Sequence, residues 1–165
     1  MDKDSEWFDP SVIIQSSNKI TEIFGYWPTF HDARIQSLYL TVGSGKNWED
    51  GYGAGPPTLV MRLHVYEMTK EVTAEGYIVL AKHTFVELRF LDIEKLELRN
   101  FSYQNSIHEL AFETELGDQP GPGGIYANVL RVKLKSFPGV CAEFRCRSAE
   151  VVSAVPCDEN GNAKA

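Results

Sequence analysis

A chain of 165 residues with 43% hydrophobic and 24% charged side chains has the make-up of one globular domain, large enough to be held by its core without disulfide or metal staples. Its net charge of −7 argues against a nucleic-acid partner, because phosphate binding needs a basic patch that displaces counterions. No apolar run approaches the ~18 residues of a membrane helix, and Met1-Asp2-Lys3-Asp4-Ser5-Glu6 is polar and acidic, unlike a signal peptide. The expected compartment is the cytoplasm, with no membrane partner.

The first regular element is predicted between Ser11 and Gly25, where Ile13, Ile20, Ile23 and Phe24 fall near one face of a helix and Gly25 suits a left-handed cap. Pro28 prevents continuation. From there to the C-terminus the dominant period is two. Ile35 to Val42 is a short strand candidate. Leu59, Met61, Leu63 and Val65 alternate with Arg62, His64 and Tyr66; Val86, Leu88 and Phe90 with Glu87 and Arg89; Leu96 and Leu98 with Lys95, Glu97 and Arg99. Leu110, Phe112 and Leu116 oppose Glu109, Glu113 and Glu115; Leu130, Val132 and Leu134 oppose Arg131, Lys133 and Lys135; Ala142, Phe144 and Cys146 oppose Glu143, Arg145 and Arg147. Val151 to Val155 is a last short candidate. One apolar and one wet face per strand marks an antiparallel sheet, and no helical crossover is left for a parallel one.

The expected fold is therefore α+β: an N-terminal helix packed on a strongly twisted, mostly antiparallel β-sheet of about six to eight strands. Residues 1–157 form one domain, and 158–165, small and polar, are expected to fray. Leu88, Phe90, Leu96, Leu98, Leu110, Phe112, Leu134 and Phe144 are expected to share one core. Glycine-rich segments at 43–57 and 117–124 read as loops. Neither carries the Gly-Lys-Ser/Thr ending of a phosphate cradle.

Few residues suggest chemistry. Cys141, Cys146 and Cys157 lack metal-ligand spacing, and Cys141 and Cys146 would face opposite sides of one strand, so reduced thiols are expected. The stretch Gly25-Tyr-Trp-Pro-Thr-Phe-His-Asp-Ala-Arg-Ile35 offers His31 and Asp32 as a metal-binding pair. His64, His83 and His108, however, lie scattered on strands without ligand spacing. The expected roles are structural: Trp27, Pro28 and Phe30 packing, His31 and Asp32 hydrogen-bonding a helix-to-strand corner. No nucleophile elbow is present. Glu113 and Glu115, with Asp118 beyond them, would face the uncharged Tyr126–Val129 stretch across a hairpin closed by 117–124. Two readings stand. In one, these acids form ordinary cross-strand pairs with the outward Arg131, Lys133 and Lys135 of the next strand. In the other, Glu109 alone is neutralised by Lys133 or Arg131, while Glu113, Glu115 and Asp118 stay unpaired and contact a partner. Trp48 and Tyr52 in the glycine-rich loop are further candidate contacts.

Taken in order, several segments resemble the immunity protein 50 family of bacterial polymorphic-toxin systems. They are Phe24-Gly-Tyr-Trp-Pro-Thr-Phe-His-Asp-Ala33, His64-Val-Tyr-Glu-Met-Thr69, His83-Thr-Phe-Val-Glu-Leu-Arg-Phe90, Leu96-Glu-Leu-Arg-Asn-Phe101 with Gln104-Asn105, and Cys141-Ala-Glu-Phe-Arg-Cys146. The resemblance implies a cytoplasmic, non-catalytic protein without a cofactor that binds and neutralises a cognate toxin domain. Two rival readings remain at this stage: a small metal-dependent enzyme using His31-Asp32, and a small-ligand-binding β domain with the Trp48/Tyr52 loop as its lid.

Overall fold

Strand alternation governs most of the chain in the computed structural model, which describes residues 9–44 and 54–164. In order come helix α1 (Asn18–Phe24) and strands β1 (Arg34–Ser44), β2 (Ala54–Val72), β3 (Ile78–Leu91), β4 (Glu94–Arg99), β5 (Ile107–Pro120), β6 (Tyr126–Ser136), β7 (Cys141–Cys146) and β8 (Ser148–Pro156). Every ladder between them is antiparallel. The α+β class is as expected. The strands divide into two four-stranded sheets, β1-β2-β3-β8 and β4-β7-β6-β5.

The division happens at one corner. After Leu91 the chain turns through Asp92, at φ 57°, and enters β4. It returns to the first sheet through Arg147, whose backbone N–H donates to the carbonyl of Leu91 (2.9 Å). The two crossings thus brace each other.

The apolar faces of the two sheets meet in a single core. Leu59, Met61, Leu63 and Val65 of β2 join Val86, Leu88 and Phe90 of β3 from one side, and Phe112, Val132, Leu134 and Phe144 from the other, all buried. Phe90 sits at the junction, stacked on Phe112 (centroids 6.5 Å apart) and edge-on to Phe144 (5.0 Å). Of the expected core residues, Leu96 is only partly buried and Leu98 is 42% exposed. β4 is an edge strand paired with β7 alone, with a register shift between Glu94 and Glu97. The period-two signal of Leu96 and Leu98 is real, but an edge strand covers them from one side only.

The helical signal at 11–25 resolves into two pieces. A 3-10 turn covers Pro10–Val12, and α1 begins only at Asn18. Between them Gln15 pairs with β8: its N–H donates to Ala149 O (2.9 Å), and its carbonyl accepts from the N–H of Val151 (2.9 Å). Ser16, at φ 56°, turns the chain back. A strand edge took the backbone hydrogen bonds that a continuous helix would have used. Ile20 and Phe24 are buried, and Gly25 caps α1 at φ 85° with its N–H on Thr21 O (2.7 Å).

The polar C-terminal segment folds back instead of trailing off. Cys157 donates its N–H to His83 O (2.9 Å), and Asp158 accepts from the N–H groups of Asn160 (3.0 Å) and Asn162 (2.7 Å). Those donors hold the Asp158 carboxyl below its ordinary value.

Truncating Phe144 to Ala is expected to cost about 3–5 kcal/mol, through lost burial plus the cavity left between the sheets. Leu98→Ala should cost about 1 kcal/mol or less, since it is already part-solvated. Urea denaturation of both variants checks the pair; equal losses would mean that Phe144 does not join the sheets.

Candidate functional site

The corner between α1 and β1 is fixed by packing and by backbone hydrogen bonds. Trp27, partly buried, packs edge-on against Phe30 (5.4 Å) and Phe112 (6.4 Å), and Pro28 and Phe30 are buried. Phe30 and Asp32 both take left-handed backbone, at φ 61° and 67°. This is uncommon away from glycine, least so for Asp. Asp32 donates its N–H to Ile107 O (2.8 Å), and its carbonyl accepts from the Tyr66 hydroxyl (2.7 Å). Its carboxylate does none of this. It lies at the surface, 3.1 Å from His31 Nδ1, and the His31 ring meets His108 edge-on at 5.5 Å. The corner therefore rests on Asp32's backbone. Beside it is a groove of about 1250 Å³ bordered by Tyr26, Trp27, Thr29, His31, His108 and Glu109. Among the described residues no three His, Cys, Asp or Glu side chains converge as metal ligands.

The acidic stripe is not free. β5 and β6 run further toward their turn than expected, which places Glu113 opposite Arg131 rather than opposite the uncharged stretch. Glu109 pairs with Lys135 (3.3 Å) and Glu113 with Lys133 (3.7 Å). Glu115 pairs with Arg131 (3.9 Å) and with Arg145. Asp118 pairs with Arg145 (2.7 Å) and with Lys95. Hydrogen bonds from Arg145 and Lys95 lower the Asp118 carboxyl to about 2. Arg145 belongs to β7 and Lys95 to β4, so the neutralisation spans all four strands of the sheet. A single hairpin could not reveal it. Trp48 and Tyr52 lie outside the described residues.

Two groups escaped the sequence reading. One is a histidine pair on the outer face of the first sheet. His64 Nε2 lies 3.1 Å from His83 Nδ1, and His64 is only 5% exposed. Burial first, then His83 and Arg34, lower the His64 pKa, against a smaller opposing pull from Asp158. Arg34, Tyr66, His64 and His83 share a cavity of about 390 Å³ with Glu159 and Asn160 of the folded-back tail. Thr73 to Gly76 is a turn signal that would have set β2 beside β3. The tail that covers the pair left no signal.

The other is a pair of loops, 100–106 and 137–140, bound to each other through buried Asn105. Its Oδ1 accepts from the N–H groups of Ser102 (3.0 Å) and Val140 (3.1 Å), and its Nδ2 donates to Ser102 O (2.7 Å). Its carbonyl takes the Ile35 N–H (2.9 Å), while Phe137 N–H donates to Ser106 O (3.0 Å). Gly139, at φ 125°, lies so close that a Cβ there would stand 2.6 Å from Asn105 Oδ1. On this fixed base Tyr103 is 96% exposed, Phe137 88% and Phe101 52%. All three border a cavity of about 810 Å³ that also includes Arg34 and Tyr66.

Fold and surface together define a two-sheet β protein whose ionisable groups are largely satisfied by one another and whose loops display aromatic side chains. The chain belongs to the immunity protein 50 family: the family model described as Immunity protein 50 matches residues 16–156. No curated protein and no solved structure matches it. No helix among the described residues is long and apolar enough to cross a membrane.

Two outcomes test this geometry. Asp32→Asn should leave stability within about 0.5 kcal/mol, because Asn tolerates the left-handed backbone. Asp32→Ala should cost about 1–2 kcal/mol. Equal losses in the two variants would return the role to the carboxylate. For His64, burial disfavours the charged form, so the unfolded chain binds a proton more readily than the folded one. Stability should therefore fall as pH drops below about 6.5. Urea midpoints at about pH 7.5 and 5.5 should differ more for the wild type than for His64→Gln; identical differences would contradict the assignment.

Proposed function

We propose that this chain is a non-catalytic immunity protein of a bacterial polymorphic-toxin system, a cytoplasmic protein that binds one cognate toxin domain and neutralises it by covering its active site. The observation that carries this reading is family membership across residues 16–156. The chemistry of the side chains supports it. Burial pushes the Cys146 thiol up to about 12 and raises Cys157, which removes both as nucleophiles at neutral pH. The carboxylates of the second sheet are tied to arginine and lysine. The exposed aromatic side chains Phe101, Tyr103 and Phe137 supply contact surface. Inhibition by occlusion needs an interface of roughly 1,600 Å² in total, with a few aromatic or arginine anchors supplying most of the affinity.

The test is stoichiometric. The toxic domain encoded beside this chain's gene is expressed with and without it, then titrated in vitro. Co-expression should restore growth, and inhibition should be complete near one equivalent with the two chains co-eluting. Protection far below one equivalent would reveal a catalytic antidote instead. Growth arrest without complex formation would overturn the reading altogether.

A further inference from the structure

We infer that the docking surface for the toxin domain is the aromatic platform Phe101, Tyr103 and Phe137 together with Arg34, and that the partner reaches it with a carboxylate side chain set among apolar residues. The inference rests on the toxin-binding reading and names the surface and partner chemistry within it.

Three observations converge on this place. The first is exposure. Tyr103, Phe137 and Phe101 are 96%, 88% and 52% exposed and border one cavity of about 810 Å³. At 150–250 Å² per aromatic side chain they present on the order of 500 Å² of largely apolar surface, as large as the biggest patch on an ordinary monomer. A soluble chain that keeps such a surface open gains nothing for its own fold.

The second is rigidity. Asn105, Gly139 and the hydrogen bonds between the two loops hold the platform whether or not a partner is present. Aromatic groups on a fixed base lose little freedom on binding, so more of their burial appears as affinity.

The third is charge. Each cation on the second sheet's outer face has an acidic partner: Arg131 with Glu143, Lys133 with Glu113, Lys135 with Glu109, Arg145 with Asp118. Arg34, an exposed residue bordering the same cavity, has no ion pair and no side-chain hydrogen bond among the described residues. The nearby Asp32 carboxylate lies 3.1 Å from His31 Nδ1. Arg34 also helps to lower the pKa of neighbouring His64. An unpaired guanidinium that lines one cavity with aromatic side chains suits a carboxylate, which its planar fork binds through two parallel hydrogen bonds, with apolar groups excluding water around it.

The experiment measures affinity for the purified toxic domain encoded beside the gene. Arg34→Ala should weaken binding at least about tenfold and Tyr103→Ala/Phe137→Ala at least about 100-fold, both with unchanged melting temperature. Arg34→Lys should recover only part of the loss, since lysine keeps the charge but not the fork. Leu116→Ala and Ile125→Ala, also solvent-exposed near the tip of the β5–β6 hairpin, should bind as wild type. Wild-type affinity in the platform variants overturns the inference while leaving the immunity reading intact. If the wild-type chain itself neither binds nor protects, the immunity reading fails and takes this surface with it.

Discussion

Phe90 is the residue through which the two halves of this protein know each other's position. Its ring stacks on Phe112 of β5 and meets the edge of Phe144 of β7, so one side chain of the first sheet touches two strands of the second. Each sheet alone would leave a four-strand apolar face in water; at roughly 25 cal/mol per Å² of apolar surface, covering it is the largest single contribution to the stability of the fold. The crossings at Asp92 and Arg147 bring the strands to that contact, and the Arg147–Leu91 hydrogen bond keeps both crossings at one corner. Trp27 then reads the same core from outside by packing on Phe112, which sets the angle at which the chain enters β1. The position of Arg34 follows from that entry.

The charges follow a division of labour set by the sheets. On the outer face of β4-β7-β6-β5 glutamates and basic side chains interleave across neighbouring strands. Exposed pairs of this kind contribute little each, but they cancel the local field that a basic partner would have sensed. Steering by that face is therefore weak despite the net charge of −7. The first sheet is different: its outer face carries the His64–His83 pair under a folded-back tail, with a cation at its margin. An interface there draws on shape and aromatic contact more than on long-range attraction, and its association rate should depend only modestly on salt.

Periodicity made the strands readable because alternation is dictated by the pleat, whatever the strand pairs with. Leu59, Met61, Leu63 and Val65 are buried for that reason alone. Pairing is a different kind of information. The split into two sheets depends on turns of one or two residues at 92–93 and 147, which carry no glycine or proline to announce them. Leu98 reads as core and lies at an edge. The 11–25 segment reads as one helix because its apolar spacing is helical, yet β8 claims Gln15. Glu113 reads as free because the hairpin register is displaced from the expected one, and Glu115 and Asp118 because Arg145 and Lys95 arrive from β7 and β4. At the Trp27–Asp32 corner the aromatic packing comes from Trp27 and Phe30, and the hydrogen bonds come from the Asp32 backbone rather than its carboxylate. The loops that hold Phe101, Tyr103 and Phe137 were not legible in the sequence, since their order comes from Asn105, one polar residue whose contacts span both loops.

A toxin domain seated over these loops must shield them from solvent, and side-chain oxidation footprinting reads that shielding most directly. Hydroxyl radicals should modify Tyr103 and Phe137 readily in the isolated protein, where both are almost fully exposed. In the complex with the toxin domain both should be protected, while Ile125 near the tip of the β5–β6 hairpin stays reactive. Unchanged labelling of Tyr103 and Phe137 in a saturated complex would contradict docking at this platform.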